Sequence, residues 1–242
     1  MATTLTMHIS ERVKVRVEPL TAQAFYPFGS VVANPRPDVH PSAFATHAVS
    51  LPANAAPANA GTAIQYRDAG AVRNLYGEAC TGSSSSSSSS RGGGRGKPLM
   101  SIFACSTVEA EGSIVIHALE RHPFTTQTFI PIASPAYEYL VVVAPNQPSN
   151  TTPDTANLPR WHGLPDLHRL RAFVASHAQA VTYGAGTWHA PMMALGEPGQ
   201  RLDFVVVQFA SGVAAEDCQL LELVSAEGEV RVVVGDGETA KL

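Results

Sequence analysis

From end to end this chain is cut into short apolar runs bounded by Gly, Pro or Asn, and that pattern restricts the folds open to it more than any other feature. VKVRVEPL (13–20), LMSIFAC (99–105), SIVIHALE (113–120), TQTFIPI (126–132), QAVTYG (179–184) and DFVVVQFA (203–210) are each strand-length and rich in β-branched or aromatic residues. Alternation over such lengths predicts half-buried strands, and YEYLVVVAP (137–145) is apolar enough to be covered on both faces. No strand–helix alternation of the doubly wound kind is present, and the glycines at 92–94 have neither a strand before them nor a helix after. The expected class is mainly β: an antiparallel barrel or sandwich with a few short helices.

The helices are minor. Thr21 is placed to cap a short one over 22–26, stopped by Pro27 and Gly29. PDLHRLRAFVA (165–175) carries apolar residues at 167, 170, 173 and 174, a spacing that predicts an amphipathic helix. AIQYR (63–67) reads as one more strand. The segment 81–97, TGSSSSSSSSRGGGRGK, cannot bury enough apolar area to offset its ordering entropy, so it is expected to be a flexible insertion. A polar, Pro-rich loop is expected over 146–162. GEVRVVVGDG (228–237) is a final strand or part of a C-terminal tail beginning at about 225. One domain spanning 1–242 accommodates all of this.

Composition removes several function classes. The sequence is 45% apolar and 15% charged, as in soluble globular proteins, and no run of roughly eighteen apolar residues is present to span a bilayer. A formal net charge of −4 argues against a nucleic-acid partner, because phosphate binding wants a basic face. Cys80, Cys105 and Cys218 are odd in number and not at metal-ligand spacing, so neither a disulfide framework nor a zinc finger is indicated. The N-terminus lacks the apolar core of a secretory signal. Ala240-Lys241-Leu242 is a conservative variant of the Ser-Lys-Leu peroxisomal address. A peroxisomal protein is expected, with the cytoplasm as the alternative.

Chemistry concentrates in two segments. In ERHPFTTQTFIP (120–131), Glu120 and His122 are two apart and share one face of a strand, with Gln127 beyond a Pro-containing bend. In TYGAGTWHAP (182–191), His189 follows a Gly-x-Gly turn where the chain can double back. Converging Glu, His, Gln and His side chains can serve as metal ligands or as acid and base. On a regular strand Arg121 and His117 point to the opposite face, and Arg121 is read as a surface residue. Arg67, beside Tyr66, could hold a substrate carboxylate bidentately. Asp203 could orient a histidine or simply start a strand.

The two segments resemble the half-motifs of the cupin superfamily, standing here as Glu120-x-His122-x(4)-Gln127 and Gly184-x-Gly186-x(2)-His189. More narrowly, ERHPFTTQTFIP, YLVVVAP (139–145), PDLHRLRAFVA, TYGAGTWHAP and DFVVVQF (203–209) together resemble, in order, the ureidoglycolate lyase family of purine catabolism. That resemblance implies a cupin-like barrel that cleaves (S)-ureidoglycolate to glyoxylate and urea. It places catalysis on His122, His189 and Glu120, and substrate binding on Gln127, Arg67 and Tyr66. It also implies a small-molecule substrate, a homodimer and no nucleotide cofactor. A divalent ion of nickel or manganese type, held by His122, Gln127 and His189, would be the only cofactor. One customary His is Glu here and the customary Glu is Gln. The alternatives are therefore a barrel that binds small ligands without catalysis, or a metal-dependent isomerase or oxygenase.

Overall fold

The computed structural model describes residues 3–78, 96–109, 112–148 and 163–235. The low-complexity insertion up to residue 95, most of the 146–162 loop and the C-terminal tripeptide lie outside these residues. The described residues form seventeen strands, three four-residue α-helices and a few 3-10 turns. The strands before the insertion are β1 (Thr3–Ile9), β2 (Arg12–Pro19), β3 (Gly29–Val32), β4 (Ala55–Ala58) and β5 (Ala63–Tyr66). Those after it are β6 (Lys97–Val108), β7 (Ser113–Ile116), β8 (Ala118–Arg121), β9 (Gln127–Pro131) and β10 (Glu138–Ala144). Next come β11 (Arg171–Ser176), β12 (Ala180–Tyr183), β13 (Trp188–His189) and β14 (Met193–Leu195). The last three are β15 (Arg201–Ala210), β16 (Gln219–Ser225) and β17 (Glu229–Val233). The helices are α1 (Ala22–Phe25), α2 (Phe44–His47) and α3 (Ala214–Asp217); Thr21 caps α1, its hydroxyl accepting from the Ala24 N–H at 3.2 Å.

The main path of the large sheet runs β1-β16-β8-β13-β10-β14-β6-β15-β9-β12-β3, with β11, β2, β17 and β7 joined alongside it. Two expectations change here. The sheet is mixed rather than antiparallel, because β1/β16, β2/β11, β2/β17 and β6/β14 pair in parallel. Its path also ends at β1 and β3, which are not paired with each other, so hydrogen bonding among the described residues does not close a barrel. Strands β4 and β5 form a separate hairpin.

Strand β10 is the axis of the packing. Tyr139, Val141 and Val143 face one apolar cluster with Phe173, Val181, Phe204 and Val206, while Leu140, Val142 and Ala144 face another with Leu119, Trp188 and Leu221. A strand covered on both faces reads as an unbroken apolar run, as YLVVVAP does. Aromatic edges tie the first cluster together: Tyr139 meets Phe204 at 5.2 Å and Phe129 meets Phe204 at 5.7 Å between centroids, both T-shaped.

One further expectation fails for an identifiable reason, and one left open is decided. The segment 165–175 is not an amphipathic helix. Only a 3-10 turn at Leu167–Arg169 forms, capped by Asp166, and the rest is β11, paired antiparallel with β10. Apolar residues at 167, 170 and 173 suit a turn followed by a strand as well as a helix, and the paired edges of β10 and β2 decide between them. Of the two readings of 228–237, the final strand holds over 229–233: β17 lies between β2 and β7 with Val230 and Val232 buried. No helix among the described residues is long and apolar enough to cross a membrane.

Candidate active site

Strand pairing builds the site. Glu120 on β8 and His189 on β13 stand directly opposite each other across an antiparallel pair. Such partners hold their Cβ atoms about 4.5–5.5 Å apart on one face. His122, just beyond β8, repeats the orientation of Glu120. The turn that delivers His189 uses Gly186 at φ 77°, in the left-handed region, and the Gly186 N–H donates to the His122 carbonyl at 2.8 Å. The two imidazole centroids lie 5.7 Å apart, and one ligand atom from each of Glu120, His122 and His189 falls within 4.8 Å of the others.

The ring nitrogens can be assigned from their partners. Nδ1 of His122 lies 2.6 Å from the Asp217 carbonyl, and Nδ1 of His189 lies 2.9 Å from the Thr187 carbonyl. A carbonyl only accepts, so each Nδ1 carries the hydrogen and each Nε2 presents a lone pair. Both Nε2 atoms are buried without a hydrogen-bond partner. His189 Nε2 sits 3.5 Å from Glu120 Oε1, an ion-pair distance that becomes a hydrogen bond only when that nitrogen gains a proton. Two lone pairs and a carboxylate facing one point are mutually repulsive until a proton, a cation or a substrate hydrogen stands between them. The set also suits a divalent metal, since metal-binding histidines commonly donate the other ring N–H to a carbonyl.

Electrostatics separate the roles. Burial, followed by the neighbouring His189, holds His122 below the ordinary histidine value, so it is neutral at physiological pH. Burial would raise Glu120, but His189, His122 and the Cys218 thiol outweigh it, and the carboxyl stays below its ordinary range. Cys218 Sγ lies 3.9 Å from Glu120 Oε2, and burial beside that charge pushes the thiol up to about 12, which leaves it a neutral donor. Glu120 is the partly open member, with 24% of its side chain exposed against 2% for His189.

The residue-level expectations divide. Gln127 is buried on β9, opposite Tyr183 of β12, and Tyr183 stacks on His189 at 4.0 Å. Tyr66 and Arg67 belong to the β4/β5 hairpin and its exit; Arg67 is exposed, with its guanidinium on Gln65, and Tyr66 lies near Arg36. Asp203 pairs with Arg201 at 3.1 Å rather than with a histidine among the described residues. His117 is exposed. Arg121 is not at the surface: it is fully buried, stacked 4.4 Å over Trp188, and donates to Gln219, Asn146 and the Gly163 carbonyl. The face opposite Glu120 is covered by other elements rather than water, which alternation along one strand does not reveal. Burial draws Arg121 down to about 9, still a cation at neutral pH.

The profile of the family described as "Ureidoglycolate lyase" matches residues 12–231. A ureidoglycolate lyase of Schizosaccharomyces pombe is 35% identical over 231 residues, covering 93% of this chain and 97% of its own. One from Burkholderia mallei is 30% identical over 191 residues, 79% of each chain. A third, from Saccharomyces cerevisiae, is 40% identical over 124 residues, 49% of this chain and 55% of its own.

The chain belongs to the ureidoglycolate lyase family.

Within this family member, a support that no sequence motif marks stands behind His122. Asp217 ends α3, and its carboxylate accepts from the Ser211 N–H at 2.7 Å, the Ser211 hydroxyl at 2.9 Å, the Gly212 N–H at 2.8 Å and the Tyr76 hydroxyl at 2.7 Å. That brace fixes the carbonyl that receives Nδ1 of His122. The acidic turn after Gly212 is visible in the sequence, but no residue pattern announces that its main-chain oxygen faces a histidine.

Proposed function

We propose that this chain cleaves (S)-ureidoglycolate to glyoxylate and urea, with His122 as base, His189 as acid and Glu120 balancing the charge of His189. The observation that carries the reading is the pair of buried, unpartnered Nε2 atoms converging beside one ionised carboxylate in a chain of this family. The substrate carbon bears a hydroxyl, a ureido nitrogen and a carboxylate. When the hydroxyl proton leaves and the ureido nitrogen gains a proton, the C–N bond breaks. The C–O bond becomes a carbonyl, and glyoxylate and urea separate.

Neutral His122 offers a lone pair for the hydroxyl proton. A proton taken up from solvent at His189 Nε2 before the bond breaks, and held against the carboxylate 3.5 Å away, passes to the ureido nitrogen and leaves the ring with the Nε2 lone pair of its resting state. Glu120 is ionised at neutral pH and so serves as counter-charge rather than proton donor. If a divalent ion of nickel or manganese type is bound, Glu120, His122 and His189 would hold it, and it would supply Lewis-acid pull on substrate oxygen.

Purified protein incubated with (S)-ureidoglycolate should release urea and glyoxylate in equal amounts. Failure to release either, with chelator or with added nickel or manganese, would overturn the reading in favour of a ligand-binding barrel without catalysis. A homodimer fits the outer face of β6, β15 and β9, where Met100, Ile102 and Ile130 are exposed; Ile102 and Ile130 both stand opposite Val205. A monomeric mass by light scattering would refute it. The peroxisomal reading rests on Ala240-Lys241-Leu242 alone. A reporter carrying the last residues should form puncta that vanish when Leu242 is removed.

A further inference from the structure

Gln127 and Gln208 make a contact that the roles above do not use. Gln127 is 3% exposed, and its Nε2 donates to Oε1 of Gln208 at 2.8 Å. Its own Oε1 is buried with no partner. Leaving a buried carbonyl oxygen unpaired costs about 1–3 kcal/mol, which a bound donor would recover. The pairing of β15 with β9 sets Val207 opposite Thr128, so the next position in register brings Gln208 beside Gln127. On its other side Gln127 stands opposite Tyr183, whose ring lies 4.0 Å over His189. The two amides therefore share the sheet face of the ring that abuts His189.

Resting on the substrate reading above, we infer that Gln127 and Gln208 form an amide clamp that recognises the ureido group of the substrate rather than its carboxylate. The argument is one of donor and acceptor complementarity. One internal hydrogen bond between two primary amides leaves one carbonyl oxygen and one NH₂ for a ligand, whichever amide donates internally. A ureido group is the complement: its N–H hydrogens meet the free carbonyl and its C=O meets the free NH₂. A carboxylate only accepts, so it would satisfy the NH₂ and press its charge against the carbonyl. Gln208 thereby becomes a specificity residue, and Gln127 is removed from the set of metal ligands because its Oε1, the atom a metal would need, accepts from the substrate.

Binding tests this without turnover. The probes are hydantoate, which keeps the ureido group and carboxylate but lacks the hydroxyl, and glycolate, which has the carboxylate and hydroxyl but no ureido group. Calorimetric titration of the full chain should show Gln208→Leu weakening hydantoate about tenfold, the worth of one to two hydrogen bonds, while glycolate stays within about twofold. Gln208→Met, neutral and close in size, loses the donor without adding charge to a site probed by two carboxylates; it should show the same selectivity for hydantoate loss, so the inference does not depend on one variant folding. Equal weakening of both probes, loss confined to glycolate, or no change in either would overturn the clamp. If wild-type protein binds no hydantoate yet releases urea from ureidoglycolate, the clamp falls and the catalytic reading stands. If it binds neither probe and releases no urea, both fall.

Discussion

Replacing Asp217 with Ala should damage catalysis through a residue that never meets the substrate. Its carboxylate accepts four hydrogen bonds, two from main-chain N–H groups and two from hydroxyls. Hydrogen bonds to a charged acceptor are worth about 1.5–3 kcal/mol when buried, but this side chain is partly open and water can replace the contact at exposed Gly212. Freed from Asp217, the one hydrogen of the Tyr76 hydroxyl can turn fully to the Phe209 carbonyl 3.2 Å away. A net loss of about 2–3 kcal/mol follows, small enough for the chain to stay folded. The larger effect is positional. Residues 211–217 would no longer be pinned, and the carbonyl 2.6 Å from Nδ1 of His122 would lose its fixed place. A misplacement of about 1 Å at a reacting group costs on the order of a hundredfold in rate. Denaturant titration gives the stability change, and steady-state urea release gives kcat and KM. The expected split is a fall in kcat of about a hundredfold with KM moved far less, and Asp217→Asn, which retains one acceptor oxygen, should recover most of it. A stability loss of the expected size with kcat within about threefold of wild type would refute the positioning argument.

Three more outcomes are expected. His122→Ala or His189→Ala should lower the rate of urea release about a hundredfold or more with the fold intact, whereas exposed His117→Ala should change it little; the reverse ranking would displace the site. His122 is held below the ordinary histidine value of 6.5, so below that pH the unfolded chain takes up a proton that the native chain refuses, and stability falls on acidification. The denaturation midpoint should therefore drop between about pH 7.5 and 5.5, and His122→Asn should flatten the slope over that interval. Gly29→Ala would set a Cβ 1.9 Å from the Thr182 carbonyl oxygen at φ 152°, forcing β3 off β12, the strand that carries Tyr183 to His189. Melting should shift down by an amount equivalent to about 2 kcal/mol or more, with activity falling too; an unchanged melting temperature would contradict the close approach.

What the sequence determined by itself was local. Strand-forming runs at 13–20, 99–105, 126–132, 137–145 and 203–210 are strands, because period-two alternation and β-branching are properties of neighbours along the chain. Glu120 and His122 share a face for the same reason, and the Gly-x-Gly turn before His189 was readable from glycine alone. Tertiary structure decided everything that depends on which distant strand lies alongside. It set Glu120 opposite His189, made 171–176, mostly within the helix expected over 165–175, a strand between β10 and β2, and drew 229–233 into the sheet. It also buried Arg121 against Trp188 and separated Tyr66 and Arg67 onto their own hairpin. The hydrogen atoms that fix the tautomers of His122 and His189 answer to the carbonyls of Asp217 and Thr187. Every residue has such a carbonyl, so residue type cannot mark the ones that matter; only the register of remote segments does.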